Sequence, residues 1–148
     1  MESKSKASKN STTSTASKNP VVSTKRKKIQ ELNKEVSLYS AVTCATSAKH
    51  IDDDTTYTLS ANIKVENIAY VKNVVLRFKD SYLNTWKDIP ANYLKPLTKD
   101  NSYELWDVQA PFTGKDIEFA IKYDVDGKTY WDNNNGKNYV IRKGGSIS

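Results

Sequence analysis

From residue 35 onward, apolar side chains recur at every second position, and this period limits the possible folds more than any other property of the chain. Successive side chains of an extended strand point to opposite faces, whereas a helix repeats about every 3.6 residues. In Thr58–Glu66, Leu59, Ala61, Ile63 and Val65 share one face, and Thr58, Ser60, Asn62, Lys64 and Glu66 share the other. Asn73–Asp80 places Val74, Leu76 and Phe78 together. Asp116–Tyr123 does the same with Ile117, Phe119, Ile121 and Tyr123, and Glu104–Ala110 with Glu104, Trp106 and Val108. Shorter strands are predicted over Glu35–Thr43, Lys128–Trp131 and Tyr139–Arg142. Asp126-Gly127 is a two-residue hairpin signal between two of these runs. Pro90, Pro96 and Pro111 are read as lying outside the strands, where a missing N–H interrupts no ladder. Seven or eight short strands at roughly ten-residue spacing predict an all-β fold, an antiparallel β-sandwich of immunoglobulin-like size.

Charge divides the chain in two. The 148 residues carry a formal net charge of +6, and residues 1–33, with eight basic and two acidic residues, hold the whole surplus. Residues 34–148 are electrically balanced and of a normal size for one domain. That argues against a globular nucleic-acid binder with a basic footprint. Eleven of the first 24 residues are Ser or Thr, and no aromatic residue precedes Tyr39. A segment of this kind lacks the apolar surface to offset its ordering entropy, so residues 1–33 are expected to be a disordered tail. Lys25-Arg26-Lys27-Lys28 reads either as a solvated linker or as a nuclear-localisation or polyanion-binding patch.

Catalysis finds little support. The single histidine, His50, sits in a polar stretch and would have to serve any Ser–His–Asp or Cys–His arrangement. Asp52-Asp53-Asp54 lacks the spacing of a calcium loop. One Cys, Cys44, and one His are too few for a structural zinc site or an internal disulfide. No cofactor and no metal is expected, and the chain reads as a binding protein rather than an enzyme. Without an apolar spanning run or a readable signal peptide, a cytoplasmic protein is expected, or a nuclear one through the basic run.

Two segments hold more large aromatics and amides than a small core needs. Residues 80–93 carry Tyr82, Trp86 and Tyr93 with no strand alternation, and residues 128–139 carry Tyr130, Trp131 and Tyr139 around Asp132, Asn133, Asn134, Asn135 and Asn138. An exposed indole or phenol can cover the apolar C–H face of a sugar ring with little loss of entropy. An Asn amide can meet two neighbouring hydroxyls, and Lys or Asp adds a charge-assisted bond. Trp106, Tyr123 and Tyr139 read as core, and residues 132–136 read equally as a turn, because Asn, Asp and Gly tolerate left-handed backbone.

At these residues the sequence resembles the family 21 carbohydrate-binding modules. The resemblance runs through Val65–Lys72 (VENIAYVK), the Trp86 segment (LNTWKDI), Asn101–Asp107 (NSYELWD) and Glu118–Tyr139, where the hairpin, YWDNN and GKNY occur together. It covers roughly residues 36–142. The family comprises starch- and glycogen-binding β-sandwiches, found in some fungal glucoamylases and in glycogen-targeting subunits of type 1 protein phosphatase. The resemblance implies two sugar sites. One is built on Trp86 and Trp131 with Asn133, Asn135 and Asn138, and the other on Tyr70, Lys72, Tyr93, Tyr103 and Glu104. In the glucoamylase type a further aromatic precedes the I-K-Y triplet; here that position is Ala120.

The resemblance leaves three functions open: an α-glucan-binding module, a regulatory subunit that targets type 1 phosphatase to glycogen, or a starch-binding fragment of a secreted amylolytic enzyme. The phosphatase partner would need a docking segment. Lys34-Glu35-Val36-Ser37-Leu38 is the nearest match, with Val36 and Leu38 as anchors and Leu38 replacing the usual aromatic. The same residues read as the first strand of the domain.

Overall fold

The computed structural model describes residues 34–46 and 55–148. The expected tail, the Lys25–Lys28 run, His50 and Asp52–Asp54 lie outside the described residues. The remainder is an antiparallel β-sandwich, as the alternation predicts. Its strands are β1 (Val36–Ala45), β2 (Tyr57–Glu66), β3 (Lys72–Asp80), β4 (Trp86–Pro90), β5 (Asn92–Pro96), β6 (Tyr103–Phe112), β7 (Asp116–Val125), β8 (Lys128–Asp132), β9 (Tyr139–Arg142) and β10 (Ser146–Ile147). One sheet has the order β10-β1-β2-β6-β5, and the other β4-β3-β7-β8 with β9 also pairing β7.

The inward residues of the predicted runs form one core. Leu59, Ile63, Val65, Leu76, Phe112, Ile117, Phe119, Ile121 and Tyr123 are almost completely buried. Tyr123 carries its hydroxyl into that core and donates it to the Glu66 carbonyl at 2.6 Å. Burial is the main reason its phenol is pushed up to about 12.

Three strands depart from the sequence expectation. β4 and β5 lie where the alternation predicts loop, and β10 is a two-residue addition beside β1. β4 and β5 are edge strands, so almost all their side chains face water and no apolar period marks them. Trp86 is therefore the first residue of an edge strand, paired with Lys79, and not part of a loop. The prolines also sit inside strands. Pro90 and Pro96 close the two edge strands, where one side of the backbone has no ladder. Pro111 pairs with Thr58 in β6, but β5 reaches along β6 only as far as Asp107, so its other side is unpaired.

Two buried carboxylates fix the connections. Asp80, at the end of β3, accepts backbone N–H bonds from Tyr82, Thr113 and Gly114 at 2.8–2.9 Å, pinning the β3–β4 turn to the β6–β7 turn. Gly114 has no room for a side chain there: a Cβ would lie 2.4 Å from the Tyr82 nitrogen. Asp132, at the end of β8, accepts from the Leu38 N–H and the Tyr139 hydroxyl at 2.7 Å each, and from the Asn134 N–H at 3.2 Å. It thereby ties β1 in one sheet to β8 and β9 in the other.

Candidate functional site

β7 pairs with β8 from Ile121 to Val125 and with β9 from Asp116 to Phe119. Ala120 is the gap between them. At that level the chain leaves the sheet as the 133–138 loop and returns at Tyr139. Asn134, Asn135 and Asn138 have φ of 55°, 59° and 59°, and Gly136 has φ of 89°. The asparagines therefore make the turn, since Asn tolerates the left-handed region better than other side chains do. Three asparagine side chains brace the loop, Asn134 Nδ2 donating to the Asn138 carbonyl at 3.0 Å. Asn133 Oδ1 accepts the Gly136 N–H at 2.9 Å, and Asn138 Nδ2 donates to Glu118 Oε2 at 2.7 Å. Asn135 stands exposed.

The outer face of this sheet gathers the first predicted site. Val74, Leu76 and Phe78 face the core, so Val75, Arg77 and Lys79 face outward, joined by Glu118, Ala120 and Lys122 of β7. Trp86 pairs with Lys79, and Trp131 pairs with Lys122, so both indoles stand on this face. They are 41% and 46% exposed. Strand geometry separates them by about 14 Å across the sheet and about 13 Å along it. The floor between them is charged and internally paired. Arg77 forks onto Asp88 at 2.9 and 3.2 Å, Lys79 meets Glu118 at 3.7 Å, and Lys122 meets Asp124 at 3.8 Å. Arg77 holds the Asp88 carboxyl below the usual carboxylate range, chiefly through that hydrogen bond. The sequence reading missed Arg77, Lys79 and Lys122. Their outward parity on β3 and β7 is legible in the sequence, but their place between the two tryptophans is set by strand pairing.

The second predicted set is only partly assembled. Lys72 and Glu104 form an ion pair at 3.4 Å with side chains 5% and 14% exposed, so these charges face each other rather than solvent. Glu104 Oε1 also accepts the Trp106 Nε1–H at 3.0 Å, and Tyr93 meets the Trp106 ring edge-on at 6.0 Å. Trp106 packs against the core, as its strand parity predicts. Tyr70 stands in solvent, 96% exposed. Tyr103 is not brought together with Glu104. The two are neighbours on β6 and point to opposite faces, and Tyr103 lies instead under the Lys64 ammonium, 4.3 Å from its ring centre. Along β3, Lys72 is three positions from Val75, whose row carries Trp131, and seven from Lys79, whose row carries Trp86, so it lies about 10 Å and about 23 Å from those rows along the strand.

The turn before Tyr103 is held by Asp100, whose carboxylate accepts from the Thr98 and Ser102 hydroxyls at 2.8 and 2.7 Å and from the Ser102 N–H at 3.0 Å. These bonds lower its pKa from 3.8 to about 2. A depressed carboxyl stabilises the fold above its unfolded pKa, and that contribution disappears as pH falls from about 3.8 through 2. Asp100→Asn is therefore expected to show a shallower fall in melting temperature across that window than the parent, measured by circular dichroism.

The docking residues are not offered as a free segment. Val36 is 2% exposed and pairs with Val65, and Leu38 packs on the core with its N–H on Asp132. Of the match at Lys34–Leu38, the residues Val36–Leu38 open the first strand. Among the described residues, no group of three or more His, Cys, Asp or Glu is placed to hold a metal ion.

A β-sandwich that displays two indoles and an amide-rich loop on one sheet face has the build of a sugar-binding module. The chain belongs to family 21 of the carbohydrate/starch-binding modules, whose model matches residues 40–142. Glucoamylase 1 of Rhizopus oryzae is 41% identical over 110 residues, 70% of this chain and 18% of its own length. Protein phosphatase 1 regulatory subunit 3B of Danio rerio is 37% identical over 91 residues, 56% of this chain and 30% of its own length. The chain thus spans less than a third of either relative. Among solved structures, the starch-binding domain of Rhizopus oryzae glucoamylase, in complex with beta-cyclodextrin and maltoheptaose, superposes with a TM-score of 0.56 at 34% identity. That match covers 75% of this chain and 95% of the domain. The carbohydrate-binding module of the muscle glycogen-targeting subunit of Protein Phosphatase-1 shares the fold, with a TM-score of 0.58 at 24% identity over 84% of this chain and 86% of that one.

Proposed function

We propose that this domain binds α-glucan, glycogen or starch, without converting it chemically, and that the outer face carrying Trp86 and Trp131 is its principal surface. The observation that carries this reading is the diagonal pair of half-exposed indoles on one sheet face with polar side chains between them. Each indole can cover the C–H face of a glucose unit, and the charged groups between them can meet hydroxyls. The diagonal is long enough to engage several units of a curved chain. Family membership and the 34% identical domain seen with cyclic and linear maltooligosaccharides support the same ligand class. Tyr70 offers a second, more exposed platform with Tyr93 nearer the sheet edge, and two platforms on one polymer gain by effective concentration.

The test is isothermal titration of the full chain with cyclomaltoheptaose at low and high salt. Binding should be seen, and its affinity should change little with salt, because the ligand is uncharged. Absence of heat, together with unretarded migration in gels containing soluble starch, would remove this reading.

The relatives among phosphatase regulatory subunits favour a second reading, in which the module carries type 1 phosphatase to glycogen. It rests on those relatives and not on Val36 and Leu38, whose use as anchors would require β1 to leave its sheet. The Rhizopus oryzae relative supports a part of an amylolytic enzyme instead. Both readings keep the same glucan surface.

A further inference from the structure

Two cations of β3 lie between the tryptophans, and their contacts cross. Lys79 is held by Glu118 of β7 and lies 5.2 Å from the ring centre of Trp86 on β4. Arg77 is held by Asp88 of β4, its register partner, and lies 5.9 Å from the ring centre of Trp131 on β8. Ala120 is the register partner of Arg77 on β7, the strand lying between the guanidinium and the indole. Its side chain is one methyl, and it is only 5% exposed. A large side chain at 120 would stand where the guanidinium reaches across. The small residue at 120 and the arginine at 77 are two halves of one arrangement.

A surface ion pair of this kind adds little to stability. Its consequence is geometric. The fork onto Asp88 fixes the guanidinium plane, and a guanidinium packs against aromatic faces in a way that a flexible ammonium does not. A ring held in its binding orientation loses less entropy when a ligand covers it.

We infer that Arg77, fixed by Asp88 and admitted by the small Ala120, is a positioning residue that orients Trp131 for its ligand. The inference rests on the glucan reading above for the ligand but not for the positioning itself. The second tryptophan is therefore governed from the strand that carries the first.

The full chain labelled with 5-fluorotryptophan gives three fluorine resonances, one each for Trp86, Trp106 and Trp131, assigned by Trp→Phe variants. Asp88→Asn removes a charge three strands away from Trp131. It should move and broaden the Trp131 resonance, leave that of Trp106 in place, and weaken cyclomaltoheptaose binding by about threefold, the scale of one exposed cation–π contact. Arg77→Leu should do the same more strongly. Arg77→Lys, which keeps the charge and loses the fork, should recover part of the affinity. A Trp131 resonance identical to the parent in Asp88→Asn overturns the inference, whatever the sugar does. Parental affinity in Arg77→Leu, with binding lost in Trp131→Ala, overturns it as well and leaves the glucan reading standing. Parental affinity in Trp131→Ala removes Trp131 from the glucan reading, and the fluorine spectra still decide the positioning.

Discussion

Trp131→Ala should lower affinity for cyclomaltoheptaose at least about tenfold while leaving the unfolding midpoint nearly unchanged. Truncating a central aromatic anchor of a binding surface typically costs about 2 kcal/mol or more. Trp131 has the properties of such an anchor: its indole is 46% exposed, and it stands on the outer face of β8 and outside the core cluster. Surface substitutions of this type usually change stability by no more than about 0.5 kcal/mol. Trp86→Ala should behave alike, with a somewhat larger cost in stability, because it opens an edge strand. Trp106→Ala is the contrast. It removes a ring packed on the core and the donor that engages Glu104, so its main effect should be on folding. Titration calorimetry and urea melts of the three variants separate the two kinds of tryptophan. Equal losses of affinity in all three, tracking stability, would contradict the assignment of Trp86 and Trp131 to the ligand.

Asp132→Ala should destabilise the domain by about 2 kcal/mol in urea unfolding, a large effect for a single polar side chain. The reason lies in what remains after the carboxylate is gone. The Leu38 N–H, the Asn134 N–H and the Tyr139 hydroxyl each lose the Asp132 oxygen they donate to, and a donor shielded from water and left unsatisfied costs about 1–3 kcal/mol. Asn134 is exposed, so Leu38 carries most of that cost. Asp132→Asn keeps the volume and one acceptor oxygen, so its cost should be roughly half. Because Asp132 stands at the foot of the 133–138 loop, sugar affinity should fall with it even where the domain remains folded. If Asp132→Ala melts with the parent, the carboxylate does not carry these three bonds in solution.

Much of this architecture was legible in the residue order. β2, β3 and β7 each bury one face against the opposite sheet, so Leu59–Val65, Val74–Phe78 and Ile117–Tyr123 display the period directly, and β9 was read with its observed limits. Edge strands escape such a reading for a physical reason. Of β4, only Ile89 packs against the core, and β5 is exposed throughout, so neither has a face for the sequence to mark. The same gap limited the reading of the site. The family resemblance joined Trp86 and Trp131 in one site, but their own sequence neighbourhoods could not, because their common face depends on the order β4-β3-β7-β8, which is set by pairing between distant segments. Tyr103 and Glu104 show the opposite failure. The family resemblance grouped them, and strand parity puts them on opposite faces. In the 133–138 loop the turn reading holds for the backbone, since Asn134, Asn135 and Asn138 all have positive φ, and Asn135 stands exposed.

The edge strands have one more consequence. A long polymer with many equivalent sites concentrates every module bound to it, and crowded β-sandwiches with bare edges tend to zip together along their free N–H and C=O groups. β4 and β5 are two such edges, and each carries a lysine and ends in a proline: Lys87 and Pro90, Lys95 and Pro96. Like charges meet when two such edges approach, and the prolines withhold the donors that a growing ladder needs. The polar, proline-ended character that hid these strands from a reading of the sequence is also what disfavours edge-to-edge pairing between crowded copies.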